Sequence, residues 1–361
     1  MNHFHLFTIS LKKNFISILF VTFTICLVIF SKQNLLATQT GLALCANSVI
    51  PSLFPFFIAT ELLNYTNIIS ILEKHFNKIM KPFFNVSGHG AYAFIMGIIS
   101  GYPVGAKIAT DLRINNLCSK SESERLLAFT NNSGPLFIIG TVGISLFGNT
   151  AIGALLFITH ILGSLTVGFL FRFWKLKEKN PPVFKQNNKT SFVQPKIKDL
   201  GKILSSSITK AVSSVILISG FVVFFSVVIS ILNNSKILYF ISLLFKPISN
   251  LLNLDFAFVK PFLSGLIELT NGLQAISQIS VKSISTNIVL CALLLGFGGI
   301  SIMLQVFSII SKSDLSIKPY ILGKILHGLF AAIYTYLFIR YIPYFNFDIT
   351  PVFSNLNWII V

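Results

Sequence analysis

The chain has 361 residues, of which 53% are hydrophobic and only 11% are charged, and its mean hydropathy is +0.79. Soluble domains average about 25% charged residues, so this composition excludes an ordinary soluble protein and predicts an all-α polytopic membrane protein embedded in the lipid bilayer. The net charge of +17 is typical of basic cytoplasmic loops that set membrane topology. Nucleic-acid binding would need a folded basic domain with stacking aromatic residues, and the sequence shows none.

The first half begins with a helix predicted at about 14–31, after Lys12 and Lys13. No A-x-A cleavage site follows it, so we expect this helix to be retained rather than cleaved as a signal peptide. A second helix is predicted at about 41–63, and the pattern of residues 68–80 is typical of an amphipathic helix lying at the membrane interface. A helix at about 150–171 closes this half.

Between these helices, two apolar segments are interrupted by polar, glycine- and proline-containing motifs. The first is AYAFIMGIISGYPVGAKIATDLR (91–113), and the second is LLAFTNNSGPLFIIGTVGISLFG (126–148). Irregular backbone survives at bilayer depth only where protein buries it or where it lines a cavity. Because secondary transporters build their substrate sites from discontinuous helices of this kind, we expect function to reside here.

A polar, basic stretch at 172–202 contains Pro181-Pro182, which disfavours a continuous helix, and it predicts a cytoplasmic linker. The pattern then recurs: a helix at about 208–232, an amphipathic stretch at 237–254, interrupted segments at 257–280 and 286–310, and a last helix at about 319–342. Lys81-Pro82 and Lys246-Pro247 are 165 residues apart, as are Gly134 and Gly299, which indicates an internal repeat.

Charge parity predicts the handedness of this repeat. Lysines place the N-terminus and the linker inside, so the first half begins outside and ends inside, while the second half does the reverse. The halves are then inverted repeats with about 8–10 membrane segments, and at least one broken segment is expected to be re-entrant.

Four motifs carry a resemblance to a known family: PSLFPFF (51–57), SGYPVGAKIATDLR (100–113), FTNNSGPLFIIGTVG (129–143) and GLIELTNGL (265–273). Over about 10–345, the chain resembles YlbJ-type sporulation integral membrane proteins, a branch of the nucleoside-recognition, or Gate-domain, superfamily. The resemblance implies the following division: an N-terminal membrane helix at 1–40, Gate-like repeats at 41–174 and 206–342, a basic cytoplasmic linker at 175–205, and a C-terminal tail at 343–361.

The resemblance also implies a role in endospore formation, in the mother-cell-derived outer forespore membrane. Members are required for dipicolinic acid to accumulate, and the implied activity is movement of this dianion by a secondary transporter or facilitative carrier. It further implies a fold like the core of concentrative nucleoside transporters. Partners would be the small anionic solute and the bilayer, with a homo-oligomer or other sporulation membrane proteins compatible with this picture.

Polar residues inside the broken segments are the candidates for solute binding. A lysine at bilayer depth costs about 2.5–3.5 kcal/mol, so Lys107 should face a solute carboxylate, Asp111 one turn away, or the membrane surface. Glu268 could couple transport to a proton or a cation, or it could neutralise Lys107 or Lys260. The candidate solute-binding residues are Tyr102, Lys107, Asn131, Asn132, Ser133, Glu268, Thr270 and Asn271, and the candidate helix-break residues are Gly101, Pro103, Gly105, Gly134, Pro135, Gly298 and Gly299.

Other functional classes find less support in the sequence. His160 and His327 are expected to bond neighbouring helices rather than a metal, and no metal-ligand spacing, catalytic pair or Walker A motif is present, so we predict no enzyme, metal or cofactor. Four cysteines without C-x-x-C spacing predict neither disulfides nor a zinc site. A structural or assembly factor for sporulation, and a transporter of a nucleoside-like solute, stay open as alternatives.

Overall fold

A computed structural model describes residues 3–63, 65–66, 68–176, 197–280 and 283–345, and within these ranges the chain is helical, with no strand. This confirms the all-α prediction. Four helices are long and apolar enough to cross a membrane, or five if a bent pair counts as one span, and four shorter apolar helices accompany them. The count of eight to ten membrane segments stays a prediction, since the described residues supply four spans, or five with the bent pair.

The first half begins with the N-terminal helix and the pair of helices that follows it. An amphipathic helix, a helical hairpin, a broken span and a full span then follow in chain order. Helix α1 (His3–Ile29) lies at 97° to α2 (Ser31–Leu44), so the two do not form one continuous helix. The bounds are α1 His3–Ile29, α2 Ser31–Leu44, a π-helical turn Cys45–Val49, α3 Ile50–Leu63, α4 Ile68–Phe84, α5 Gly90–Ser100, α6 Val104–Ile114, α7 Lys120–Phe129, a π-helix Leu136–Leu146 and α8 Thr150–Phe171.

The second half repeats this order of elements. Its bounds are α9 Leu200–Asn234, α10 Ile237–Leu244, α11 Lys246–Leu251, α12 Val259–Ile267, α13 Leu269–Ser277, α14 Ile284–Phe297, α15 Gly299–Ile310 and α16 Lys318–Tyr341, with short 3-10 turns at Ile197–Asp199, Phe256–Phe258 and Pro343–Phe345. The predicted linker and C-terminal tail lie mostly outside the described residues, at 177–196 and 346–361.

Helix α9 begins at Leu200, eight residues before the predicted start at 208. The apolar run alone suggested the later start, because serines precede it. In the structure these extra turns pack beside the end of α3, where the Tyr65 hydroxyl donates to Ser206 Oγ at 3.4 Å and Lys210 donates to Glu61 at 3.1 Å. Tertiary contacts therefore extend the helix beyond its apolar core.

Hydrogen bonds at the ends of the helices show which broken segment returns and which crosses. The Ser87 amide donates to the Glu122 carboxylate at 3.0 Å, so α5 and α7 begin at the same end of the bundle. The α5–α6 hairpin is therefore re-entrant, whereas α7 continues through residues 130–135 into the π-helix and crosses. In the second half Gly272 of α13 packs closely against Gly265 of α12, and Asn287 Nδ2 donates to the Ile276 carbonyl at 2.8 Å, so α12–α13 is the corresponding hairpin and α14 begins where α13 ends.

The two halves are antiparallel, as charge parity predicts. Cys45 contacts the Ser219 carbonyl and Glu61 contacts Lys210, so α2–α3 and α9 run in opposite directions. At the bundle end where the first hairpin begins, Arg113 forms a two-pronged ion pair with Asp314, at 2.9 and 3.0 Å. This guanidinium holds the pKa of the Asp314 carboxyl below its usual value.

Glycines allow the hairpins to pack closely, and they define the register of the repeat. A methyl group on Gly97 or Gly105 would overlap the Thr130 carbonyl oxygen, and one on Gly272 would overlap Gly265. Gly105 and Gly272 are 167 residues apart. Lys81-Pro82 lies at the end of α4, whereas Lys246-Pro247 begins α11, and the predicted spacing of 165 stays a prediction.

Gly105→Ala should lower the thermal unfolding midpoint of the purified protein in detergent. The added methyl group must push α6 away from the Thr130 carbonyl, and overpacking of this kind costs about 1–3 kcal/mol. Gly220→Ala is the matched control, since no atom lies within 4 Å of its added methyl group and alanine favours a helix interior by about 0.5–1 kcal/mol. Equal midpoints for the two variants would contradict the close packing.

Candidate functional site

The two breaks of the first half touch each other. Gly101, in the left-handed region at φ 78°, ends α5, and Pro103 directly precedes α6. A methyl group on Gly101 would lie 2.9 Å from the Gly134 nitrogen, so the hairpin tip packs on the backbone between α7 and the π-helix. The predicted break residue Gly105 instead lies inside α6, where it forms the close contact described above.

Asn131, Asn132 and Ser133 form the irregular backbone between α7 and the π-helix, and all three are buried. The Asn131 amide donates to the Tyr320 hydroxyl at 3.2 Å, and Asn132 donates to the Phe129 carbonyl at the end of α7, at 3.0 Å. The Oδ1 atoms of both asparagines are buried without a hydrogen-bond partner. Each side chain therefore uses its amide N–H group in a hydrogen bond within the fold, while its Oδ1 acceptor has no partner.

A buried lysine that our sequence analysis did not single out stabilises this break. Lys324 of α16 is 1% exposed, and its ammonium donates to the Asn131 carbonyl at 3.0 Å and to the Tyr102 hydroxyl at 3.4 Å. Cations are favourable at helix C-termini, and this one lies just past the end of α7. The rule that directed attention to Lys107, a lysine inside an apolar run, would also have found Lys324.

His160 of α8 and His327 of α16 lie next to each other where these two helices pack together. Their rings lie 4.3 Å apart, and His327 Nε2 bonds the His160 carbonyl at 2.8 Å. His160 Nε2 accepts from the Ser133 amide at 3.1 Å, while His327 Nδ1 lies 3.1 Å from Lys324 Nζ. The histidines are 167 residues apart, the same spacing as Gly105 and Gly272. They therefore bond neighbouring helices, as predicted.

The hairpin of the second half is capped by an acid. Glu268 lies between α12 and α13, and its carboxylate accepts from the backbone amides of Thr270 at 3.1 Å and Asn271 at 2.8 Å. The Asn271 side chain also donates to Glu268 and, at 2.9 Å, to Ser226 of α9. Within the described ranges no lysine or arginine lies within ion-pair distance of Glu268, so Glu268 does not pair with Lys107 or Lys260, and the amides at the N-terminus of α13 hold its carboxylate instead.

The breaks of the two halves enclose one small cavity of about 50 Å³. Tyr102 reaches across the boundary and donates to the Leu295 carbonyl at 2.6 Å, next to the break at Gly298 and Gly299. This volume holds a few water molecules, whereas small-molecule sites occupy about 300–1,000 Å³. The polar residues that line this central cavity are Tyr102, Ser133, Glu268, Thr270, Ser301 and Gln305.

A second, larger space lies between α3, α6 and α9, with a volume of about 330 Å³. It contains Lys107, which the structure places outside the central cavity. The Glu61 carboxylate lies 3.5 Å from Lys107 and 3.1 Å from Lys210, so Lys107 pairs with Glu61 rather than with Asp111. We call this space the lysine cleft; Glu61 and Lys210 were absent from the sequence-based candidates.

The lysine cleft and the central cavity follow one another along the same two helices. On α3, Phe57 and Glu61 line the cleft and Leu53 lines the cavity, as does Val49 at the end of the preceding π-helical turn. On α9, Lys210, Ala211 and Ser214 line the cleft, and Ile218 and Val222 line the cavity. Only the hairpin tip separates them, because Tyr102 faces the cavity while Pro103 and Val104 face the cleft.

In the part of the chain that the structure describes, no three His, Cys, Asp or Glu side chains are placed to hold a metal ion. Cys45, Cys118 and Cys291 are buried, and these three and Cys26 form no disulfide bond. The chemistry that this arrangement offers is hydrogen bonding in the cavity and charge pairing in the cleft.

Re-entrant hairpins and broken spans in two inverted halves define a polytopic membrane protein of the kind that builds a solute site from discontinuous helices. The chain belongs to the Gate family, described as nucleoside recognition, whose profile matches residues 46–170 and 215–313. It is 35% identical over 316 residues, 83% of this chain and 76% of its relative, to the sporulation integral membrane protein YlbJ of Bacillus subtilis (strain 168). No solved structure matches the chain.

Lys324→Met should lower the thermal unfolding midpoint by more than Lys202→Met, which changes an exposed lysine on α9. Methionine preserves the volume but leaves the Asn131 carbonyl and His327 Nδ1 without their donor, and an unsatisfied buried group costs about 1–3 kcal/mol. Adding His327→Leu to Lys324→Met should cost less than the two single changes summed, because the residues are in contact. Additive losses in differential scanning fluorimetry would show that the pair is not coupled.

Proposed function

We propose that the protein is a secondary transporter or facilitative carrier for a small anionic aromatic solute, and that its two halves move relative to each other around the broken helices. The observation that carries this proposal is that helix breaks of both halves line one small cavity, through Tyr102, Ser133 and Glu268, and that the Oδ1 acceptors of Asn131 and Asn132, next to Ser133 in the chain, have no hydrogen-bond partner. A purely structural membrane protein gains nothing from opening four helices at bilayer depth, since each break exposes costly backbone groups.

Dipicolinate is the cargo that this proposal favours, carried across the outer forespore membrane during sporulation. The relationship to the sporulation integral membrane protein of Bacillus subtilis supports a role in sporulation, and dipicolinate and the membrane are what the resemblance of the sequence motifs implies. The central cavity is too small for an aromatic dicarboxylate, so the structure corresponds to a state closed around the breaks. Opening of the hairpin tip at Gly101–Pro103 would join this cavity to the lysine cleft.

A nucleoside-like solute is the second candidate, and the lining of the cavity favours it. Hydroxyl, amide and carboxyl groups of Tyr102, Ser133, Gln305 and Glu268 suit a polar neutral solute, whereas the lysines of the cleft suit an anion. The family description, nucleoside recognition, agrees with this reading. The two candidates differ in the charge of the solute, which a transport assay resolves.

Liposomes containing the purified full-length chain should take up dipicolinate with saturable kinetics, and nucleosides should not compete. The assay panel is dipicolinate, uridine, adenosine and succinate, with empty liposomes as the blank. Stronger competition by a nucleoside than by dipicolinate would replace the anionic cargo with the nucleoside-like one. Absence of flux for the entire panel, with a correctly folded protein, would favour a structural or assembly factor.

Glu268→Ala should reduce this flux by about tenfold or more, because α13 loses its cap and the cavity loses its only lining carboxylate among the described residues. Asn149→Ala is the matched control: Asn149 caps α8 through the amides of Ala151 and Ile152 but lies outside the cavity. Both variants should lose similar stability, about 0.5–2 kcal/mol. Equal flux in the two variants would remove Glu268 from the solute path.

A further inference from the structure

Two lysines from different helices converge on one carboxylate in the lysine cleft. Lys107 on α6 and Lys210 on α9 approach the two carboxylate oxygens of Glu61 on α3, at 3.5 and 3.1 Å. The lysine side chains are 52% and 53% exposed, whereas the Glu61 side chain is 12% exposed. The ammonium groups are thus open to the cleft, and the carboxylate lies against its wall.

The volume and the other walls of the cleft suit a small solute. Its volume of about 330 Å³ falls within the range of small-molecule sites. Phe57, Tyr92 and Ile108 supply aromatic and apolar surface next to the two lysines. An apolar pocket with a few convergent charged groups is the usual composition of a site that binds and orients a small anion.

The cleft also lies at the correct place for entry. Asn115 and Leu117, which follow the end of α6, line its outer part, and the adjacent Arg113–Asp314 pair marks that end of the bundle. Its inner part ends at Pro103 and Val104, beyond which Tyr102 lines the central cavity. A solute that enters from this end therefore meets the lysines before it reaches the helix breaks.

We infer that the lysine cleft is an entry site for carboxylate solutes, in which the solute carboxylate displaces the Glu61 carboxylate from Lys107 and Lys210. Glu61 is an internal competitor: it satisfies the lysines in the empty protein and makes each binding event an exchange of one carboxylate for another. Asp111 lines the same cleft, so the site accepts one carboxylate at the lysines and disfavours a second charge near α6.

The exchange also gives a role to the two ion pairs by which Glu61 connects α6 and α9 to α3. Lys107 belongs to the re-entrant hairpin and Lys210 to the long helix of the other half, and Glu61 ties both to α3. Displacement of Glu61 would release α3 from both lysines at the moment the solute arrives. Entry of the solute through the cleft rests on the proposed transport function, but carboxylate binding in the cleft does not.

Binding of dipicolinate to the purified full-length chain in detergent, measured by isothermal titration calorimetry, tests the exchange. Lys210→Gln should weaken binding by about tenfold, the loss of one charge-assisted hydrogen bond, while Lys210→Arg should retain it within a few-fold. Glu61→Gln should strengthen binding, because the internal competitor loses its charge. Lys202→Gln, an exposed lysine of the same helix outside the cleft, should bind as the unchanged protein does.

Weaker binding by Glu61→Gln, or unchanged binding by Lys210→Gln, would overturn the inference. If Lys210→Gln does not fold, as judged by its unfolding midpoint and gel-filtration profile, Glu61→Gln and Lys210→Arg decide the question. The dimethyl ester of dipicolinate, which has no charge, should not bind. Cleft binding without liposome flux would contradict the proposed transport alone, and flux with unaltered binding in every variant would contradict the entry site alone.

Discussion

The structure depends on one constraint, which is that the backbone opened at each helix break needs hydrogen-bond partners where the bilayer supplies no water. The breaks lie against one another, so that groups at one break supply hydrogen-bond partners or close packing to another. Gly101 packs on the Gly134 backbone, Tyr102 donates to the Leu295 carbonyl, and Glu268 receives the free amides at the start of α13. The close approach that these bonds require explains the glycines of both hairpins, since a methyl group there would separate the helices.

The two halves repeat the same order of helices, but their breaks carry different residues, so the site is asymmetric. The first half presents asparagines and a serine at its second break, while the second half presents Gly298 and Gly299 at the corresponding place. The buried charge nevertheless comes from the second half, since Lys324 of α16 supplies the cation at the end of α7. Neither half would form a complete polar centre alone, which makes the α8–α16 contact, with its histidine pair, central to the fold.

The arrangement separates two chemistries that a transport cycle would use in sequence. Charge pairing lies in the lysine cleft, where exposed ammonium groups can exchange partners with little desolvation cost. Hydrogen bonding lies in the central cavity, where the groups are buried and directional. The tip of the α5–α6 hairpin lies between them, so motion of this short element would control whether the two spaces communicate.

The sequence by itself determined the class, the breaks and the inversion, because hydropathy, proline and glycine positions and lysine distribution act locally or through simple parity. It found the spans Thr150–Phe171 and Lys318–Tyr341 almost to the residue. Only the tertiary structure decided which lysine serves which site: Lys107 faces the cleft and Glu61, whereas Lys324 is buried at the break. Lys107 and Glu61 are 46 residues apart along the chain, and Lys324 lies 193 residues from Asn131 and 222 from Tyr102; their meeting follows from helix packing, which no local pattern encodes.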